Sequence, residues 1–146
     1  MPLPARLSLI TLGTRDHARM RAFYMALGWP VGYDIDGDMT SFLIGGVVLS
    51  LWPIELLAAE AAAGVQPSPG WSGVTLACNC DARDDVDGAY AAAIAAGATP
   101  VADPLDREWG GRSGYFADPD GNRWEVAWAP GMEFDVRGSV TKFGES

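Results

Sequence analysis

Apolar and polar residues alternate along several stretches of this chain, and between those stretches the spacing changes to that of a helix. Residues 123–128, RWEVAW, place Trp124, Val126 and Trp128 on one side and Arg123, Glu125 and Ala127 on the other, because side chains two apart share a face of a strand. Just before them, Asp118-Pro119-Asp120-Gly121 carries turn chemistry: proline presets φ early and glycine tolerates positive φ late. The stretch 109–128 therefore predicts two strands joined by a tight turn. Glu125 stands out, because carboxylates are disfavoured on strands.

The same reading extends along the chain. Residues 6–13 alternate as a strand, and Asp16 is placed to cap a helix. Met20, Phe23, Tyr24 and Leu27 follow at helical spacing, and Gly28 closes the helix as a C′ glycine. A short strand (29–33) and a polar turn (34–38) come next. A hairpin over 39–44 and 47–52 turns at Gly45-Gly46, a strong two-residue signal. Residues 54–63 predict a helix, and GVQPSPG (64–70) a linker. After it come a strand (71–80), a helix (84–96, with Val86, Tyr90, Ala93 and Ile94 buried) and a short strand (99–101). A polar loop (103–108) leads to the second hairpin, and the tail 131–146 shows no clear period. The order strand–helix–strand–strand–strand thus occurs twice, over 6–53 and 71–130, with 54–70 between. The class is α+β.

Composition narrows the function. The chain has 146 residues with a formal charge of −9, from 10 basic and 19 acidic residues. Phosphate binding needs clustered Lys and Arg, so nucleic acid is excluded as a partner, and anionic membrane is disfavoured. No apolar run reaches the ~18 residues needed to span a bilayer. The N-terminus lacks a secretory pattern, which predicts a cytoplasmic protein. Cys78 and Cys80 lie two apart on one strand, too constrained for an ordinary disulfide, and are expected to be small buried hydrophobes. The single histidine, His17, is expected on the outside of the first helix, so no nucleophile–histidine arrangement is available.

A doubled βαβββ module with LITLGTRDHARMRAFYMALGW at the front and GYFADPDGNRWEVAW at the back resembles the vicinal oxygen chelate superfamily, also called glyoxalase/bleomycin resistance/extradiol dioxygenase. The resemblance implies two modules forming a curved, partly open barrel-like sheet, with helices outside and a cup for a small molecule. It also implies a homodimer. In catalytic members four inward positions hold a divalent metal; here they fall on Leu9, Leu49, Gly73 and Glu125. Leu and Gly donate nothing to a metal, and one carboxylate is not a site. The expectation is therefore no metal and no other cofactor.

Cross-strand partners share a face. With a four-residue second turn, the inward set becomes Leu9, Thr11, Phe42, Leu49, Leu51, Gly73, Thr75, Phe116, Arg123 and Glu125. Arg112 joins at one remove, and Trp109 sits on a loop over the mouth. Trp124, Trp128 and the Phe23-Tyr24 pair are assigned to the core. This describes an apolar cup with few polar groups. It predicts a metal-independent protein that sequesters a small aromatic or cationic molecule, such as an antibiotic or toxin, with Glu125 as its anchor. The alternatives are a metal-free lyase or isomerase using Glu125 as acid/base, and a ligand-free regulatory or scaffold module.

Overall fold

The computed structural model describes residues 3–35, 38–67 and 70–143. Gly37 of the expected polar turn and residues 68 and 69 of the expected linker lie outside them. The first module runs β1 (Leu9–Thr14), α1 (His17–Ala26), β2 (Val31–Ile35), β3 (Met39–Ile44) and β4 (Val47–Pro53). Helix α2 (Ile54–Ala61) follows. The second module runs β5 (Thr75–Asn79), a 3-10 turn (Arg83–Asp85), α3 (Val86–Ala95), β6 (Thr99–Asp106), β7 (Arg112–Ala117) and β8 (Arg123–Trp128). Each module forms a four-stranded mixed sheet, in the orders β1-β4-β3-β2 and β5-β8-β7-β6. The first and last strands of each module pair in parallel, and the hairpins pair antiparallel. The fold is α+β with two like modules and no closed barrel among the described residues.

The helix signals act as read. The Asp16 carboxylate accepts from the Arg19 backbone N–H at 3.1 Å, and Gly28 follows α1 with φ +82°. Gly97 closes α3 in the same way, at φ +115°. Asp16→Ala is expected to lower stability by about 1 kcal/mol through loss of the cap, measured by urea unfolding. Met20, Phe23 and Tyr24 are buried under α1, and Val86, Tyr90 and Ala93 under α3. Both sets join one core with Phe42, Leu49, Leu51, Phe116, Trp124 and Val126. The modules therefore share a core: Phe23 lies 6.2 Å from Phe116, and Trp29 packs edge-on against Trp124 at 5.4 Å.

Five expectations change. The tail forms a ribbon, β9 (Glu133–Phe134) with β10 (Val140–Lys142). Its turn is made by Asp135, whose carboxylate accepts from the N–H groups of Arg137 and Ser139 at 2.9 and 3.0 Å. Strand β6 runs on through the expected polar loop to Asp106, its register shifting twice; Pro100 and Pro104 are tolerated because it is an edge strand. Strand β5 starts at Thr75, after Gly73 has turned the chain at φ +88°. His17 is half-buried rather than outside. Its Nδ1 faces the Thr14 hydroxyl at 3.3 Å and its Nε2 the Thr40 hydroxyl at 2.9 Å. Thr40 gives its one proton to Asp34 at 2.8 Å, so His17 Nε2 carries the hydrogen and donates to Thr40. Cys78 and Cys80 are both free thiols, but they are not buried as expected: Cys78 is exposed and Cys80 half-buried.

Candidate functional site

Register decides which side chains can meet a ligand. The Gly45-Gly46 hairpin closes as expected, with Phe42 opposite Leu49 and Thr40 opposite Leu51. The parallel register of β1 on β4, however, pairs Leu9 with Val48 and Ile10 with Leu49. Phe42, Leu49 and Leu51 therefore face the helices, each 0% exposed. Leu9 and Thr11 lie on the other face, in rows with Val48 and Leu43, and with Ser50 and Ser41. The Ser50 hydroxyl is buried there without a hydrogen-bond partner among the described residues.

The second hairpin differs by one residue. Ala117 pairs with Arg123, leaving 118–122 as the loop, so Phe116 opposes Trp124 and Tyr115 opposes Glu125. A one-residue shift sends every side chain to the opposite face. Phe116 is thus a core residue, stacked on Trp124 at 6.4 Å with the rings 7° apart. Arg112 lies on the helix side, where its guanidinium binds Asp87 of α3 at 2.9 and 3.1 Å and Asp106 at 3.2 Å. Trp109 is half-exposed, and its ring lies so close to Gly111 that no side chain fits there.

What remains on the open face of the second sheet is Thr75, Ala77, Arg123, Glu125 and Tyr115. The Tyr115 hydroxyl donates to Glu125 Oε2 at 2.9 Å. Burial first, and then the Glu125 carboxylate, push the Tyr115 phenol above its ordinary value, so the proton stays on Tyr115 and Glu125 is the acceptor. Arg107 sits 5.9 Å from the centre of the Tyr115 ring and is tied to Ser113 by its Nε at 2.9 Å and its Nη2 at 3.0 Å. Tyr115 and Arg107 escape a reading based on alternation with a four-residue turn, which places Phe116 where Tyr115 stands.

Two cavities adjoin one another beside this face. One of about 890 Å³ is lined by Arg15, Ile54, Glu55, Ala58, Trp71, Asp120 and Arg123 among others. A smaller one of about 370 Å³ shares several of these residues and brings Thr11 and Arg123 together. Glu125 lines neither. Among the described residues, no group of three or more His, Cys, Asp or Glu side chains gathers. On the open face of the second sheet, Glu125 stands between Ala77 and Tyr115.

Comparison with known proteins fits this architecture. Residues 6–126 match the model of the Glyoxalase/Bleomycin resistance protein/Dioxygenase superfamily. The chain belongs to that superfamily. Among solved structures it is similar to a glyoxalase-related enzyme from Fulvimarina pelagi, with 29% identity, a TM-score of 0.87, and 97% of this chain and 100% of that one covered. It is also similar to a glyoxalase/bleomycin resistance protein/dioxygenase family enzyme from Burkholderia phytofirmans PsJN, at 24% identity and TM-score 0.76, covering 85% and 98%. In fold it further resembles a lactoylglutathione lyase from Agrobacterium tumefaciens, at 22% identity and TM-score 0.68, covering 87% and 96%. No curated protein sequence matches the chain. No helix among the described residues is long and apolar enough to cross a membrane.

Proposed function

We propose that this protein is a metal-independent member of the superfamily that binds a small aromatic or cationic molecule on the open sheet face. Sequestration of an antibiotic or toxin is the activity this serves. The observation that carries the reading is the Tyr115–Glu125 pair: a half-buried carboxylate held at 2.9 Å by a phenol, on the face that also carries Thr75, Ala77 and Arg123. A carboxylate fixed beside an aromatic ring suits an organic cation, which gains from both. The donor chemistry supports metal independence, because thiols, imidazoles and further carboxylates are missing where an ion would need them.

The row Leu9, Val48 and Leu43, with Leu9 44% and Leu43 55% exposed, supports a homodimer that covers apolar surface. Metal-free acid/base chemistry is the second reading. The Tyr115 hydroxyl on Glu125 favours it, since a protonated phenol beside a carboxylate offers one acid and one base.

Calorimetric titration with phenyltrimethylammonium and larger aromatic cations tests the first reading. Binding is expected to survive EDTA, and Glu125→Gln is expected to weaken it about tenfold, as for a charged hydrogen-bond partner. Binding abolished by EDTA would sink metal independence. Turnover that Glu125→Gln removes while leaving affinity intact would favour the second reading.

A further inference from the structure

We propose that the groove between α2, Trp71 and the 118–122 turn is a separate binding site for an aromatic carboxylate, with Arg15 and Arg123 as its anion clamp. This goes beyond the Glu125 site: Arg123 stands on the same sheet face, but neither Glu125 nor Tyr115 lines the groove.

The groove holds about 890 Å³, the size of an ordinary small-ligand cavity. Arg15 leaves the end of the first module's opening strand, and Arg123 starts the last strand of the second. They are brought together because the Arg15 backbone N–H donates to Asp120 Oδ2 at 3.0 Å. That bond uses the main chain of Arg15 and leaves its guanidinium available. Among the described residues neither guanidinium makes an ion pair; that of Arg123 reaches only the Gly121 carbonyl, at 3.5 Å. Arg21, Arg83 and Arg112, by contrast, are each bound to carboxylates at 3.1 Å or less. Among the described residues, two guanidinia without ion pairs thus line one groove, and a bidentate donor is what a carboxylate fits.

The rest of the groove selects the body of the ligand. Trp71 is 58% exposed, yet its ring is fixed, because its indole N–H donates to the Val74 carbonyl at 2.8 Å. An exposed ring held in place gives a flat ligand a stacking surface at little entropic cost. Ile54 and Ala58 of α2 supply apolar wall. Two carboxylates also line the groove. Asp120 is already engaged by the Arg15 N–H, and Glu55, on the first turn of α2, forms no ion pair with either arginine among the described residues. Glu55 therefore sets the opposing charge that limits affinity for an anion.

The test is calorimetric titration with 2-naphthoate, 2-naphthylmethanol and 2-naphthylmethylammonium, alongside the indole N–H resonance of Trp71. 2-Naphthoate is expected to bind, to shift the Trp71 resonance and to exceed the alcohol about tenfold. Arg15→Gln and Arg123→Gln should each weaken it about tenfold, and the double variant about a hundredfold, if the two act independently. Glu55→Gln should strengthen it severalfold. All three residues are at or near the surface, and amide dispersion reports whether each variant is folded. Equal binding of the ammonium compound, unchanged affinity in the double variant, or weakening by Glu55→Gln would each overturn the proposal. The aromatic-cation series on Glu125→Gln is read separately, so either site can fail while the other stands.

Discussion

Asp118→Ala lowers the unfolding free energy by about 3–5 kcal/mol, the range for removing one member of a buried charged network. Asp118 is 2% exposed. One of its oxygens accepts from the backbone N–H groups of Asp120 and Asn122 at 3.0 and 2.9 Å. The other accepts from the Tyr24 hydroxyl at 2.6 Å and from Asn122 Nδ2 at 2.8 Å. Tyr24, itself 0% exposed, receives the Trp124 indole N–H at 2.9 Å. A single carboxylate thus shapes the second hairpin loop and ties it to the first module's helix. Alanine leaves two loop N–H groups and a buried phenol without acceptors, each costing about 1–3 kcal/mol, with loop relaxation recovering part of the sum. Urea unfolding at neutral pH measures the loss, and a variant within 1 kcal/mol of wild type would contradict this account.

The same residue has a pH signature. Burial pushes the Asp118 carboxyl above the ordinary carboxylate range, against the opposing pull of the hydrogen bonds from Tyr24, Asn122 and Asp120. Between the ordinary value and the raised one, the folded chain holds a proton that the unfolded chain has released. The stability from this group is therefore fully present below the unfolded pKa and is lost as pH rises through the folded one. Asp34 and Asp106 act in the opposite sense. Hydrogen bonds from Arg21, and from Arg83 and Arg112, hold them below the usual range, so their contribution is lost as pH falls. In Asp118→Asn the first dependence vanishes, and the gap to wild type narrows as pH rises through the folded pKa of Asp118.

The repeat, the caps and the first hairpin were legible because each is written locally. Asp16 and Gly28 bracket α1, Gly45-Gly46 fixes a two-residue turn, and Met20, Phe23 and Tyr24 mark one helix face. Which face of a sheet meets the helices is a non-local fact. It depended on the parallel pairing of Ile10 with Leu49, and no local pattern encodes the register of strands separated by a helix and a hairpin. The second hairpin failed for a different reason. Asp118 folds a longer loop around its own carboxylate, which DPDG, read as a four-residue turn, does not reveal. Arg15 and Trp71 escaped notice because the groove they line is assembled from both modules and α2.

That slip of one residue separates two substitutions at adjacent positions. Phe116→Ala is expected to cost about 3–5 kcal/mol, as for a large aromatic lost from a packed core. Phe116 is 4% exposed, stacks on Trp124 and lies 6.2 Å from Phe23. Its removal opens space where the two modules meet, so relaxation of either sheet would disturb the other. Tyr115→Phe, one position away, keeps the ring and removes only a half-exposed hydroxyl, at a cost of about 0.5–1.5 kcal/mol. If Phe116 faced the ligand and Tyr115 the core, the order would invert: Phe116→Ala would be mild in stability, and Tyr115→Phe would leave a polar vacancy inside. Binding separates them again. Tyr115→Phe frees Glu125 Oε2 of its donor and should change the affinity for aromatic cations. The residual fold of Phe116→Ala, where it persists, should retain the Tyr115–Glu125 pair. Denaturation midpoints for both variants, read beside cation affinity for Tyr115→Phe, decide which face of β7 is the working one.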